Sequence, residues 1–225
     1  MYRKVLALTA LQLALVSNVQ AEEGISFKRT VEPLRQQGYS VGMITPIFGQ
    51  LLATSLPSGF KLVLENNSGG QYIQEFVLDG ESTKKWSQMI TITGAKGLAS
   101  NPNATPEKLA DRIAGGFKRD CPESFSGVSL GQKKISGYDM FGAVVSCGIA
   151  LPKGEPYSES LLLFVIKGAS DYYTIQWAER AEASKSPMKF DDVRWSERMK
   201  KLSPIKLCPI VQGEPAPYPS CVDRK

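Results

Sequence analysis

A chain of 225 residues, 42% hydrophobic and 22% charged, has the composition of a globular protein with a sizeable core and excludes a disordered or fibrous polypeptide. It carries 27 basic and 22 acidic residues, a net charge of +5, and no histidine. The last fact removes the usual general base near neutral pH, excluding the common serine and cysteine triads and making a catalytic zinc site improbable.

The N-terminus has the three parts of a secretory signal in order. Basic Arg3 and Lys4 precede an apolar run over residues 5–16, and Val19-Gln20-Ala21 follows polar Ser17 and Asn18. Cleavage after Ala21 is expected. The apolar run is interrupted by Thr9 and Gln12 and is shorter than the roughly 20 residues a spanning helix needs, so no transmembrane anchor is expected after processing. The signal takes two of the 27 basic residues and none of the 22 acidic ones, which lowers the excess of the remaining chain to +3.

Residues 22–49 give little pattern beyond a short helix over 31–37. From residue 50 to 207 the sequence reads as one α+β domain. Runs at 60–65 and 71–78, separated by Asn66-Asn67-Ser68-Gly69-Gly70, predict a β-hairpin. One or two helical turns around Trp86 are expected over 82–88, then a strand through Met89-Ile90-Thr91-Ile92-Thr93. Thr105-Pro106-Glu107 is a helix start, with a capping threonine, proline at the first helical position and an acid in the first turn. Leu109, Ile113 and Phe117 continue it as an apolar stripe that Pro122 closes.

Strands are predicted at 126–134, 138–151, 161–166 and 172–180. The last alternates Tyr173, Ile175 and Trp177 with Thr174 and Gln176, the pattern of a half-buried antiparallel strand. A second helix is expected from Pro187, with Met188, Trp195, Met199 and Leu202 as its apolar stripe. The tail 208–225, with Pro209, Pro215, Pro217 and Pro219, should be extended.

Four cysteines, Cys121, Cys147, Cys208 and Cys221, suit an exported protein with disulfides. Sequence proximity favours Cys121 with Cys147 and Cys208 with Cys221, the second pair clipping the tail, although all three pairings stay open. The absence of Cys-x-x-Cys argues against a thiol oxidoreductase.

The remaining motifs carry little chemistry. Gly127-Val128-Ser129-Leu130-Gly131 matches a nucleophile elbow but has neither a strand-turn-helix context nor a histidine, and reads as a strand with flanking turn glycines. Ser-x-x-Lys occurs from Ser82, Ser186 and Ser203 without the accompanying motifs of penicillin-binding enzymes. Asp79 with Glu81 and Asp191 with Asp192 read as a turn and a helix N-terminus. No cofactor is expected.

Between Lys185 and Lys206, seven basic residues (Lys185, Lys189, Arg194, Arg198, Lys200, Lys201, Lys206) face three acids (Asp191, Asp192, Glu197). Such an excess reads first as a solvated helix face and second as a surface for an anionic partner. Trp86, Trp177, Arg198, Lys200 and Lys201 are the candidate partner-binding residues.

Strands introduced by Pro57-Ser58-Gly59-Phe60, a middle helix from Thr105, a strand meander and a closing amphipathic helix resemble the Mog1/PsbP-like α/β/α sandwich of exported bacterial proteins. Trp86-Ser87-Gln88-Met89-Ile90-Thr91 is also similar to a segment of exported proteobacterial proteins. The resemblance spans residues 50–203, rests on element order, and implies a curved antiparallel sheet with two main helices packed on it, used for binding or assembly. The functional expectation is a periplasmic or secreted, non-enzymatic binding or accessory protein of the bacterial envelope or a secretion system. Its expected partner is another envelope or secreted protein, with an anionic lipid or polymer as a further partner class and nucleic acid disfavoured by the compartment. The alternative is a histidine-free hydrolase of cell-wall or surface polymers using carboxylates or a Ser-Lys pair.

Overall fold

The computed structural model describes residues 40–150 and 155–222. The expected signal and the helix over residues 31–37 lie outside these residues. The architecture is α+β, built on an open seven-stranded antiparallel sheet. In chain order its strands are β3 (Phe60–Ser68), β4 (Gln71–Leu78), β5 (Gln88–Ala95), β6 (Phe125–Ile135), β7 (Tyr138–Ala150), β8 (Tyr157–Lys167) and β9 (Tyr172–Glu182). In space the order is β3-β4-β5-β9-β8-β7-β6.

The central strands are covered on both faces. In β8, Leu161, Leu163 and Val165 meet helix α1 (Pro106–Asp120), whereas Leu162, Phe164 and Ile166 point to the opposite layer. This is why residues 161–166 form an unbroken apolar run rather than an alternating one. The same cause corrects the half-buried reading of β9: Thr174 is buried along with Tyr173, Ile175 and Trp177. Removing water from each large apolar side chain here contributes about 1.5–3 kcal/mol.

Helix α1 starts as its sequence dictates. The Thr105 hydroxyl accepts from the Lys108 N–H at 3.2 Å, Pro106 occupies the first turn, and the helix ends before Cys121. Leu109, Ile113 and Phe117 pack on the sheet.

The opposite face is covered by helix α2 (Asp192–Leu202) and a second, three-stranded antiparallel sheet of order β1-β2-β10. Its strands are β1 (Val41–Ile47), β2 (Gln50–Leu56) and β10 (Lys206–Pro209). Met43, Ile47, Leu52, Leu56 and Leu207 from this sheet join Trp195, Met199 and Leu202 from α2 over the large sheet. A layer of mixed helix and sheet thus stands where a helix alone was expected.

Three local expectations are corrected. Residues 82–88 hold no helix: Ser82 and Lys85 close a turn, Lys85 N–H turning back to Ser82, and β5 begins at Gln88. Helix α2 begins at Asp192, since the Asp191 carboxylate caps it by accepting from Arg194 N–H at 3.0 Å; Met188 therefore lies ahead of the helix. The tail starts extended, with Cys208 in β10, but is not wholly so: Pro219–Val222 form a single helical turn, α3.

Candidate functional site

The cysteines pair as sequence neighbours, Cys121 with Cys147 and Cys208 with Cys221. The first bridge ties the end of α1 to β7. The second folds the tail back over the outer face of the small sheet, and this fold-back builds a groove.

Strand alternation and register fix the groove floor. On the outer face Gly42 lies opposite Ser55, Ile44 opposite Ala53, and Lys206 beside Ala53 on the other edge. Cys208 sits beside Leu51, and its bridge to Cys221 brings Tyr218 onto the same patch. The Lys206 ammonium adds a tie by donating to the Val222 carbonyl at 3.0 Å. Ala216, Pro217, Tyr218 and Val222 then form the facing wall. The groove is open along one side and has a volume of about 510 Å³, within the range of small-molecule sites.

Gly42 opens this space. A Cβ added there would meet nothing within 4 Å, and its backbone is not in the left-handed region. The floor thus combines small Gly42, Ala53 and Ser55 with Ile44 under an apolar wall.

A second cleft, of about 260 Å³, adjoins the first at the end of the small sheet. Val41 and Leu56, paired in register, line the groove, while their chain neighbours Ser40 and Pro57 line the cleft. The link after α2 makes the same passage, from Lys201 in the cleft to Pro204 in the groove. Among the described residues the cleft is lined by two cations, Arg198 and Lys201, and by no acid.

Trp177 forms the cleft floor. It is 2% exposed, packs edge-on against Phe60 with ring centres 5.2 Å apart, and donates its indole N–H to Gln88 Oε1 at 3.1 Å. The Arg198 guanidinium lies 5.2 Å from the Trp177 ring centre, with Nε bonded to Glu179 Oε1 at 2.5 Å. Arg194 takes the other oxygen of Glu179 at 3.0 Å. One carboxylate therefore holds two arginines, so the cluster keeps a positive surplus.

Of the five residues singled out from sequence, Trp177, Arg198 and Lys201 come together here. Lys200 is exposed and lines neither site. Trp86 belongs elsewhere, stacked on the Arg180 guanidinium at 3.6 Å, with Tyr157 on Arg180 at 4.2 Å. Arg180 also pairs with Glu159 at 2.9 Å. Burial pushes the Tyr157 hydroxyl above its usual range, against the opposing influence of Arg180.

Asp120 and Glu159 share a third cleft beside Cys147. Glu159 is already committed to Arg180. Gly127–Gly131 lies in β6, where Gly131 N–H bonds Ser129 Oγ at a bulge. Among the described residues no three acids or cysteines converge as metal ligands.

The groove residues escaped sequence reading. Gly42 and Ile44 fall in a segment without clear period, and the wall comes from a tail whose return depends on a disulfide. The usable signal was Cys208 with Cys221 enclosing Pro215, Pro217 and Pro219, a loop that must lie on something.

No family model matches the chain, and no curated protein matches it by sequence. Among solved structures, a protein of Bacteroides thetaiotaomicron is 14% identical with a TM-score of 0.40, over 77% of this chain and 49% of its own. This chain thus spans about half the length of that protein. LpqN of Mycobacterium tuberculosis, described as involved in cell envelope biogenesis, is 11% identical with a TM-score of 0.37, over 80% of this chain and 97% of its own. Neither description connects the chain to the Mog1/PsbP proteins, and similarity at this level carries no functional argument.

Proposed function

We propose that this chain is an extracytoplasmic binding protein, an accessory component of the bacterial envelope, that holds an apolar ligand in the groove between its small sheet and its clipped tail. The observation that carries this reading is the groove: small Gly42 and Ala53 beside apolar Ile44 on its floor, an apolar wall, and a disulfide that fixes the wall to the floor. The bridged tail packs Cys221 and Tyr218 on Leu51, Ala53 and Ile44 and leaves the groove open beside them. The two bridges support an oxidising compartment.

A preformed apolar groove binds by removing ligand surface from water, at about 0.8 kcal/mol per methylene. Its prolines and disulfide reduce the ordering cost that a flexible site would incur. Titration of the full chain with a neutral naphthylamine fluorophore tests the reading. Saturable binding at one site per chain, reversed by aliphatic competitors, is expected; fluorescence that never rises above that of free dye refutes it.

A further inference from the structure

The groove and the basic cleft share a boundary at the Val41–Leu56 pair, yet their chemistries differ sharply. One is largely apolar, with Lys206 at its edge tied to the Val222 carbonyl; the other, among the described residues, presents Arg198 and Lys201 and no acid. The transition recurs on three separate elements, at residues 40–41, at 56–57 and between Lys201 and Pro204. We propose that the two form one site for a free single-chain anionic amphiphile, with its aliphatic chain in the groove and its acidic head group in the cleft.

This inference rests on the groove being a ligand site and adds the identity of the ligand's polar end. Charge complementarity selects the head. An ammonium head would meet two cations, whereas an acidic head adds counter-charge beside Lys201 and beside Arg198, whose Glu179 is shared with Arg194. The clamp on Glu179 orients the Arg198 side chain through Nε, and the Trp177 ring stacks beneath its guanidinium, so this donor is held in place before a ligand arrives. Lys201 is exposed at the cleft and adapts to the head group. The small volume of the cleft, about 260 Å³, suits a carboxylate or phosphate rather than a large glycan.

The test is competition against the neutral fluorophore on the full chain, using dodecanoate, dodecanol and dodecylamine. Dodecanoate should compete about fivefold or more better than dodecanol, and dodecylamine worst, with the dodecanoate advantage shrinking as salt rises. Lys201→Glu, at an exposed position, should bring the dodecanoate-to-dodecanol ratio down to about one or below.

Equal competition by all three ligands, unaffected by Lys201→Glu, would overturn the head-group assignment and leave the groove standing. Failure of the fluorophore or of every ligand to bind, with Gly42→Leu indistinguishable from the parent, would overturn the groove reading too, as when another segment of the chain or a second copy fills it. Anionic vesicles offer the same charge from a membrane surface. Co-sedimentation with them that survives Gly42→Leu, without dodecanoate competition, would place the contact on the basic surface and overturn the proposal.

Discussion

The Cβ that Gly168 lacks would lie 2.3 Å from Oε1 of Gln50. This close approach is how the β1–β2 hairpin docks on the turn between β8 and β9: Gln50 Oε1 accepts from Ala169 N–H at 2.7 Å, and buried Asp171 accepts from Gly97 N–H at 2.7 Å and from Gly49 N–H at 3.4 Å. Tyr173 Cε2 and the Asp171 carbonyl stand 2.7 and 3.0 Å from the same absent Cβ. Gln50 is 3% exposed, so it has no solvent into which to retreat.

Gly168→Ala should therefore destabilise the protein by about 1–3 kcal/mol, the usual cost of overpacking. Urea unfolding followed by tryptophan fluorescence reads this directly. An unchanged midpoint would mean that the hairpin is not held at this point.

The two disulfides should separate stability from binding. Chain-entropy arguments give about 3.5 kcal/mol for the loop closed by Cys121–Cys147 and about 3 kcal/mol for that closed by Cys208–Cys221. Paired serine substitution at Cys121 and Cys147 should lower the unfolding midpoint and leave fluorophore affinity intact once folded. The same change at Cys208 and Cys221 should lower both, because the groove loses the tie that holds its wall.

Alkaline pH should weaken the fold through buried tyrosines. Desolvation, first, and the hydrogen bond and charge of Glu65 push the Tyr72 hydroxyl far above its usual range; burial and then Asp171 do the same at Tyr173. Above about pH 10 the unfolded chain releases these protons while the folded chain retains them, so the unfolded state binds fewer protons and stability falls as pH rises. Tyr72→Phe gives up its 2.6 Å bond to Glu65, costing about 1 kcal/mol below pH 10. Above pH 10 its stability should decline less steeply than the parent's, by at most about 1.4 kcal/mol per pH unit for one proton.

Arg180 should prove structural. Stacked on Trp86 and Tyr157 and paired with Glu159, it braces the edge of the third cleft. Arg180→Lys keeps the charge and loses the planar stack, so the Trp86 environment should become more solvated, with about 1 kcal/mol lost in stability. A red shift of tryptophan emission without loss of fluorophore binding is the expected signature.

What could be read from the sequence follows from where each element's determinants lie. Helix α1 was legible because Thr105, Pro106, Glu107 and the Leu109-Ile113-Phe117 stripe are local. Helix α2 was placed five residues early because Pro187 is a plausible first residue, whereas the cap used is Asp191. The small sheet was not legible. Strand β2 is buried throughout and so has no period, β1 carries Pro46, and β10 is four residues long and ends on Pro209. Its pairing joins residues about 150 positions apart, such as Leu52 with Leu207. The cleft was half legible: the basic excess before Lys206 was visible, but its meeting with Trp177 and Gln88 depends on packing between layers.

The measurement that bears most directly on the groove as a ligand site is fluorophore titration of the parent chain beside Gly42→Leu. A Cβ at Gly42 meets nothing within 4 Å and the backbone there is unstrained, so the unfolding midpoint should hold. Displacing even two methylenes of ligand costs about 1.6 kcal/mol, slightly over tenfold in affinity. The expected result is saturable binding to the parent and at least about tenfold weaker binding to an equally stable variant. Equal affinities for the two proteins would contradict a ligand in the groove.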